Sequence, residues 1–521
     1  MRKKKNYAVR WMTLCVLLFL GIFFLLNLRM AMEPIKQFAK RELTLTEFTS
    51  EIKELYISDK FTAKNTFINI NGLFARLSGQ KVCNETVLLK NGMLSKIEIK
   101  RNMPKQADAV EELNTYLTQK EIPFLFVQAP YKIDPEEALL PAGVDCYAHE
   151  NAEEFVALMK EKNINLLDLR PYISNSVELI EKYYYRTDHH WNYDGAFYAF
   201  QLICDKISAM FPEHNMDLIY ADKDQWESHT LENWFLGSRG KRVGTWFAGT
   251  DDFTWYTPAF ETAMSCSIPK NRQIFSGDFA TAIINNKYLE EKSYFEHSTY
   301  VTFVGGDYPV VQHRNRMPSS NLRILMIKDS YVTPVSAFLS TVFSEIDVID
   351  PRHLTECTVA EYIGLTNPDL VIMMINPSSL CTKYYLDFGV DEALALGEPD
   401  TEPLWQKDIT VKPSATNNYQ YTTINLENNK AYTVSFDDVE FLQGGATCVT
   451  AVLYNRTTKT YLCSYIFDLE YARKKGEFTW SFTTPDVETD NIELLLYAGP
   501  YGKTKDISVK YRNVKLFEWI N

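Results

Sequence analysis

No CxxC pair and no Cys/His cluster at zinc-ligand spacing occurs among the nine cysteines and eight histidines of this 521-residue chain. Structural zinc and dithiol redox chemistry are therefore set aside. Beyond residue 10 there is no long basic run, and the formal net charge is −13. Nucleic acid is not an expected partner, because phosphate binding needs clustered Lys and Arg. No internal repeat and no low-complexity tract is present. What remains is a composition of 46% hydrophobic and 23% charged residues, that of a folded globular protein. The length exceeds one ordinary core, at roughly 100–200 residues per domain, so two or more domains are expected.

The N-terminus carries one long apolar run. Arg2, Lys3, Lys4, Lys5 and Arg10 are accompanied by no acid, and Trp11–Leu28 contains no charge. At about 1.5 Å per helical residue this run approaches the hydrocarbon thickness of a bilayer. The basic residues 1–10 form a cytoplasmic tail, residues 11–28 a single-pass membrane anchor, and the bulk of the chain lies outside. A cleaved signal peptide is the competing reading, with a weak small-residue site near Ala31.

Residues 29–65 read as a stalk and entry segment. From 66 to 396, amphipathic stretches alternate with short apolar runs: Pro123–Ala129, Asn165–Leu169, Leu322–Ile327, Ile346–Ile349 and Leu370–Ile375. That pattern predicts an α/β domain with a mostly parallel sheet covered on both faces. Functional groups then belong on loops at the carboxyl ends of its strands. Residues 397–403 (Gly-Glu-Pro-Asp-Thr-Glu-Pro) form a linker. Residues 404–521 alternate strand-like segments with turns and predict an all-β sandwich. Within it, Cys448 and Cys463 flank a hairpin turn at Asn455–Lys459; whether they pair stays open.

Four segments carry groups suited to chemistry. Asp188 and His190 are two apart, so in extended backbone both side chains point the same way. A carboxylate beside an imidazole fixes its tautomer and stabilises its protonated form. Asn192 is a candidate N-cap for a helix presenting Phe197, Phe200, Ile203 and Ile207 on one face. Ser330 follows the apolar run Leu322–Ile327 and precedes a helical stretch, Pro334–Phe343. A serine there exposes its hydroxyl and aims backbone N–H groups at a developing oxyanion. Asn376 follows Leu370–Ile375 and either donates to an oxyanion or only forms an Asn-Pro turn. The loop Phe235–Gly244 holds Gly237, Arg239, Lys241 and Arg242, either an anion nest or a solvated loop.

Together, Arg186-Thr187-Asp188-His189-His190-Trp191 and the later Asp329-Ser330-Tyr331 resemble the DHHW family, which is similar to the AlgX/AlgJ-type O-acetyltransferases of the SGNH hydrolase superfamily. The resemblance covers roughly residues 40–385. It implies a flavodoxin-like three-layer SGNH-type domain and a triad in which Ser330 is the nucleophile, His190 the base and Asp188 its orienter. Tyr331, Arg186, Asn376 and Gly237 become oxyanion or support candidates. His189, Trp191, Arg239 and Arg242 become substrate-binding candidates, with His189 also a rival base. Lys328 departs from the family pattern, standing where Gly precedes Asp-Ser. The implied activity is extracytoplasmic acyl (acetyl) transfer to a cell-envelope or exopolysaccharide glycan, with acetyl supplied by a membrane-bound acyltransferase partner. An acetylesterase with the same triad and a non-catalytic glycan-binding scaffold are the alternatives. The terminal sandwich is a carbohydrate-binding candidate by architectural likeness. No cofactor and no metal are expected; Asp-His-His also occurs in manganese phosphoesterases, but their further ligand motifs are missing.

Overall fold

The computed structural model describes residues 31–41, 44–57, 63–412, 421–485, 491–501 and 505–520, with isolated positions between 11 and 28. The basic tail and most of Trp11–Leu28 lie outside the described residues. Among the described residues, no helix is long and apolar enough to cross a membrane. The entry segment contains a helix at Leu45–Ile57, and a second helix, Lys64–Leu77, starts just before the expected boundary.

An eight-stranded sheet organises the next part of the chain. Its strands are β1 (Phe124–Gln128), β2 (Leu166–Asp168), β3 (Met264–Ile268), β4 (Gln273–Gly277), β5 (Val310–Asn315), β6 (Ser320–Lys328), β7 (Phe343–Ile349) and β8 (Leu370–Ile375). Their spatial order is β2-β1-β8-β6-β7-β5-β3-β4. From β2 to β7 every pairing is parallel. The edge from β7 through β5 and β3 to β4 is antiparallel.

Alternation along the strands decides which core each residue enters. Ile324, Met326, Ile372 and Met374 join one apolar cluster. Leu325, Ile327, Val371 and Met373 join another on the opposite face. Both faces are therefore covered, as the uninterrupted apolar runs require. On the first face lies α3 (Tyr193–Met210), burying Phe197, Phe200, Ile203 and Ile207; on the second lie α1 (Pro104–Gln119) and α2 (Ala148–Glu161). Each such buried side chain contributes about 1.5–3 kcal/mol of transfer free energy. The result is the three-layer α/β architecture expected.

The helix after Ser330 is shorter than predicted. It spans Val332–Leu339, and Phe343 opens β7 instead of closing the helix. The β-branched Thr341 and Val342 leave the helix through a turn that returns their N–H groups to Phe338 and Leu339 carbonyls.

The C-terminal region is antiparallel. One sheet is built on the long strand Ser508–Ile520, and a four-stranded sheet runs Tyr421–Leu426, Ile492–Tyr497, Cys448–Asn455, Thr460–Asp468. Within residues 397–403, Glu398–Pro399 pairs with Trp519–Ile520. Cys448 faces Asp468 and Cys463 faces Leu453 across their ladder. The thiols are thus several rungs of about 3.4 Å apart, too far for a disulfide, and both are free. Arg316 binds Asp468 at 2.9 Å and Lys475 binds Glu345 at 2.6 Å, joining this region to the central sheet.

Candidate active site

Ser330 lies just beyond the carboxyl end of β6, half-buried, ahead of α4 (Val332–Leu339). Its Oγ is 2.7 Å from His190 Nε2, although 140 residues separate the two. His190 Nδ1 lies 2.8 Å from Asp188 Oδ1, which also accepts the His190 backbone N–H at 3.1 Å. The hydroxyl, imidazole and carboxylate form one continuous hydrogen-bonded line.

The loop carrying Asp188 and His190 is held by groups remote in sequence. Tyr184 and Trp191 form an isolated antiparallel bridge, and Asn192 caps α3 by accepting from Gly195 N at 3.0 Å. Lys132, 1% exposed, donates to the carbonyls of Leu94, Tyr185, Arg186 and Asp188. Burial pulls its pKa down to about 7, opposed by the charges of Asp251 and Asp188. Asp251 accepts from the N–H groups of Arg186 and Thr187 and from the Thr187 hydroxyl. Gly237 packs on Asp188: a Cβ there would stand 2.3 Å from Asp188 Cβ and 2.5 Å from its Cα. No larger residue permits that approach.

Asp188 is 1% exposed, so its charge needs compensation. Burial opposes its ionisation, but His190, His189 and their hydrogen bonds hold it well below the usual carboxylate range. Ser238 adds its N–H to Oδ2 at 2.9 Å and its Oγ to Oδ1 at 3.1 Å. His190 is clamped between two rings: Tyr300 stacks at 4.0 Å and 15°, and His189 lies at 3.8 Å. Tyr300 also donates its hydroxyl to the Ser330 carbonyl at 3.2 Å, tying base and nucleophile together.

The remaining candidates separate. His189 joins the cluster: its Nδ1 is 2.9 Å from Asp188 Oδ1 and 2.6 Å from Ser238 Oγ. Burial and the neighbouring His190 charge lower its pKa to about 4, so it is neutral near pH 7. Tyr331 is buried and donates its hydroxyl to the His189 carbonyl, a support role. Asn376 presents its Oδ1 to Ser378 N at 2.8 Å and Ser379 N at 3.3 Å, which forms the turn and leaves its amide NH2 unengaged by described residues. Asp329 accepts Tyr331 N, Asn376 N and Ser379 Oγ, joining the ends of β6 and β8.

Gly237 is corrected as an oxyanion donor, since its N–H is given to Thr187 Oγ1 at 2.7 Å. Arg186 is exposed, and its side chain donates to Gly92 O at 3.2 Å. Trp191 is fully buried against Tyr331 and belongs to the core rather than to a sugar surface. Arg242 is exposed and ion-paired with Glu85. Arg239 is 9% exposed and makes one long contact, 3.4 Å to Glu85 O. Lys328 is buried and paired with Asp307 at 2.6 Å, where a glycine was expected. Asp188, His189 and His190 could each offer one metal ligand atom within 4.8 Å of the others. Both Nδ1 atoms instead converge on the one carboxylate oxygen, and His190 Nε2 turns to Ser330. Ser238, Tyr300, Lys132 and Asp251 were not foreseen in these roles.

Residues 88–228 match the family model of the SGNH hydrolase-like domain, acetyltransferase AlgX. Over that stretch the chain is similar to the AlgX-type SGNH hydrolase-like domain. The match contains Asp188 and His190 and ends before Ser330. No curated protein sequence matches. Among solved structures, the chain is similar to Bacillus cereus PatB1 at 21% identity and TM-score 0.48, over 57% of this chain and 97% of that one. It is also similar to a DHHW family protein from Eubacterium siraeum at 18% identity and TM-score 0.43, over 60% and 96%. Pseudomonas aeruginosa AlgX matches at 12% identity and TM-score 0.35, over 84% and 94%.

Proposed function

We propose that this protein transfers acetyl groups to hydroxyls of a cell-envelope or exopolysaccharide glycan on the outer side of the membrane, with Ser330, His190 and Asp188 as its triad. The observation that carries the reading is the 2.7 Å contact between Ser330 Oγ and His190 Nε2, continued by the 2.8 Å contact to Asp188. Those distances lie within the reach a general base needs. Ser330 Oγ attacks the acetyl carbonyl of the donor as His190 Nε2 takes its proton. The proton passes to the departing donor group, leaving an acetyl-serine ester. A sugar hydroxyl then attacks that ester, His190 takes its proton, and the proton returns to Ser330 as the ester bond breaks. Asp188 remains ionised and holds the imidazolium.

The Ser330 N–H and the Asn376 amide are the proposed oxyanion donors. Residues 66–396 are the proposed catalytic part and residues 404–521 a proposed glycan-binding sandwich. Trp11–Leu28 is the proposed anchor, and acetyl reaches the site from a membrane-bound acyltransferase, because acetyl-CoA stays in the cytosol. Turnover of an aryl acetate by the purified full chain tests the reading. Ser330→Ala should abolish it, and full activity in that variant removes the serine mechanism. Addition of a glycan acceptor separates outcomes: acetylated glycan supports transfer, and free acetate alone assigns the site to an acetylesterase.

A further inference from the structure

We propose that a cavity between the antiparallel edge of the central sheet and the C-terminal sheets is a binding site for a small apolar molecule bearing an anionic group. The cavity has a volume of about 470 Å³, and none of Asp188, His190 and Ser330 lines it. Pockets of a few hundred Å³ at domain junctions, mostly apolar with a few placed polar groups, are the usual form of small-molecule sites. Here Leu354 and Tyr362 contribute from the central-sheet side, and Val452, Tyr465 and Trp480 from the C-terminal side.

Two polar groups give the cavity its chemistry. Gln312 is 4% exposed, and its Nε2 donates to Asp347 at 3.1 Å and to the Tyr362 hydroxyl at 3.4 Å. That fixes the amide and leaves its Oε1 without a partner among the described residues. Arg272 is the second. Its guanidinium is held 4.2 Å from the centre of Tyr461 and 3.9 Å from that of Tyr501. Lys270, nearby, is neutralised by Glu356 at 2.8 Å, but Arg272 has no carboxylate partner among the described residues. Its Nε is buried without an acceptor. Arg272 also adopts φ +55°, a conformation that favours glycine. An arginine kept at a strained position, pinned between two rings and uncompensated at the edge of an apolar cavity, fits a ligand with a negative charge. The aromatic walls fit its apolar body.

The test uses the full chain and two fluorescent probes, 1-anilinonaphthalene-8-sulfonate and its uncharged counterpart N-phenyl-1-naphthylamine. Both should bind saturably at one site, the sulfonate at least about tenfold tighter, the weight of one charge-assisted contact. Arg272→Gln should erase that preference while leaving the uncharged probe bound. Leu462→Trp and Thr483→Trp, two independent fillings of the cavity, should each abolish binding of both probes and leave aryl acetate turnover unchanged. Retained turnover shows that a filled variant is folded. The proposal is overturned if no saturable site exists, if both fillings leave binding intact, or if the two probes bind wild type equally.

Discussion

Replacing Asp188 by Asn tests the orientation of the base at almost constant shape. Oδ1 of Asp188 faces His190 Nδ1 at 2.8 Å, and Oδ2 accepts Ser238 N–H at 2.9 Å. An amide has one oxygen to satisfy both. If its NH2 faces His190, the imidazole must accept at Nδ1, its proton moves to Nε2, and it can no longer take the Ser330 proton. If its oxygen faces His190, the NH2 opposes the Ser238 N–H, and a buried donor loses its partner at a cost of about 1–3 kcal/mol. In either orientation the charge that stabilises the imidazolium is gone. The wrong tautomer in a comparable triad costs about 10⁴ in kcat, or about 5 kcal/mol of barrier. The assay is steady-state turnover of an aryl acetate, with kcat and KM resolved. The reasoning is refuted if Asp188→Asn stays within about tenfold of wild type. The same substitution should alter acid stability. A carboxyl held below its unfolded value of about 3.9 binds more protons when unfolded, so it contributes stability above that pH and loses it as the pH falls toward the folded value. Urea unfolding midpoints should therefore fall less steeply below about pH 4 in the variant than in wild type.

Other expectations follow from the same geometry. His190→Gln should lose about 10⁴ in kcat, whereas His189→Gln, lacking any contact to Ser330 Oγ, should lose under about tenfold; equal losses would assign the base wrongly. Gly237→Ala places a Cβ 2.3 Å from Asp188 Cβ, so about 1–3 kcal/mol of stability should be lost, read as a lower urea midpoint, with kcat falling more than KM changes. Reducing agent should leave the melting temperature unchanged, since Cys448 and Cys463 are free; a large drop would reveal a disulfide.

The central sheet was legible because runs such as Ile324–Ile327 and Leu370–Ile375 carry apolar residues at every position, which only a two-sided core explains. The antiparallel edge was not: Val310–Asn315 reads Val-Val-Gln-His-Arg-Asn and buries polar side chains against Asp347. In the C-terminal region, Trp405–Val411 and Asp438–Gln443 are exposed at half or more of their positions, so their polarity concealed them. Asp188, His190 and Ser330 stood out because their types and spacings are chemically loaded. Tyr300 sits in a single 3-10 turn, Thr299–Val301, with no local signal, and its contact with His190 exists only after folding. Lys132 was overlooked because lysines rarely lie fully inside; four converging carbonyls make the exception. The burial of Trp191 and the Arg186 contact with the Gly92 carbonyl likewise had no local signal, since both depend on segments remote in sequence.

The most direct test is the mass of the protein during turnover. Rapid acid quenching of the full chain with an aryl acetate should trap one acetyl group, mapped by peptide digestion to Ser330, absent in Ser330→Ala and discharged faster when a glycan acceptor is added. An acetyl group on any other residue, or steady turnover by Ser330→Ala, would contradict the account.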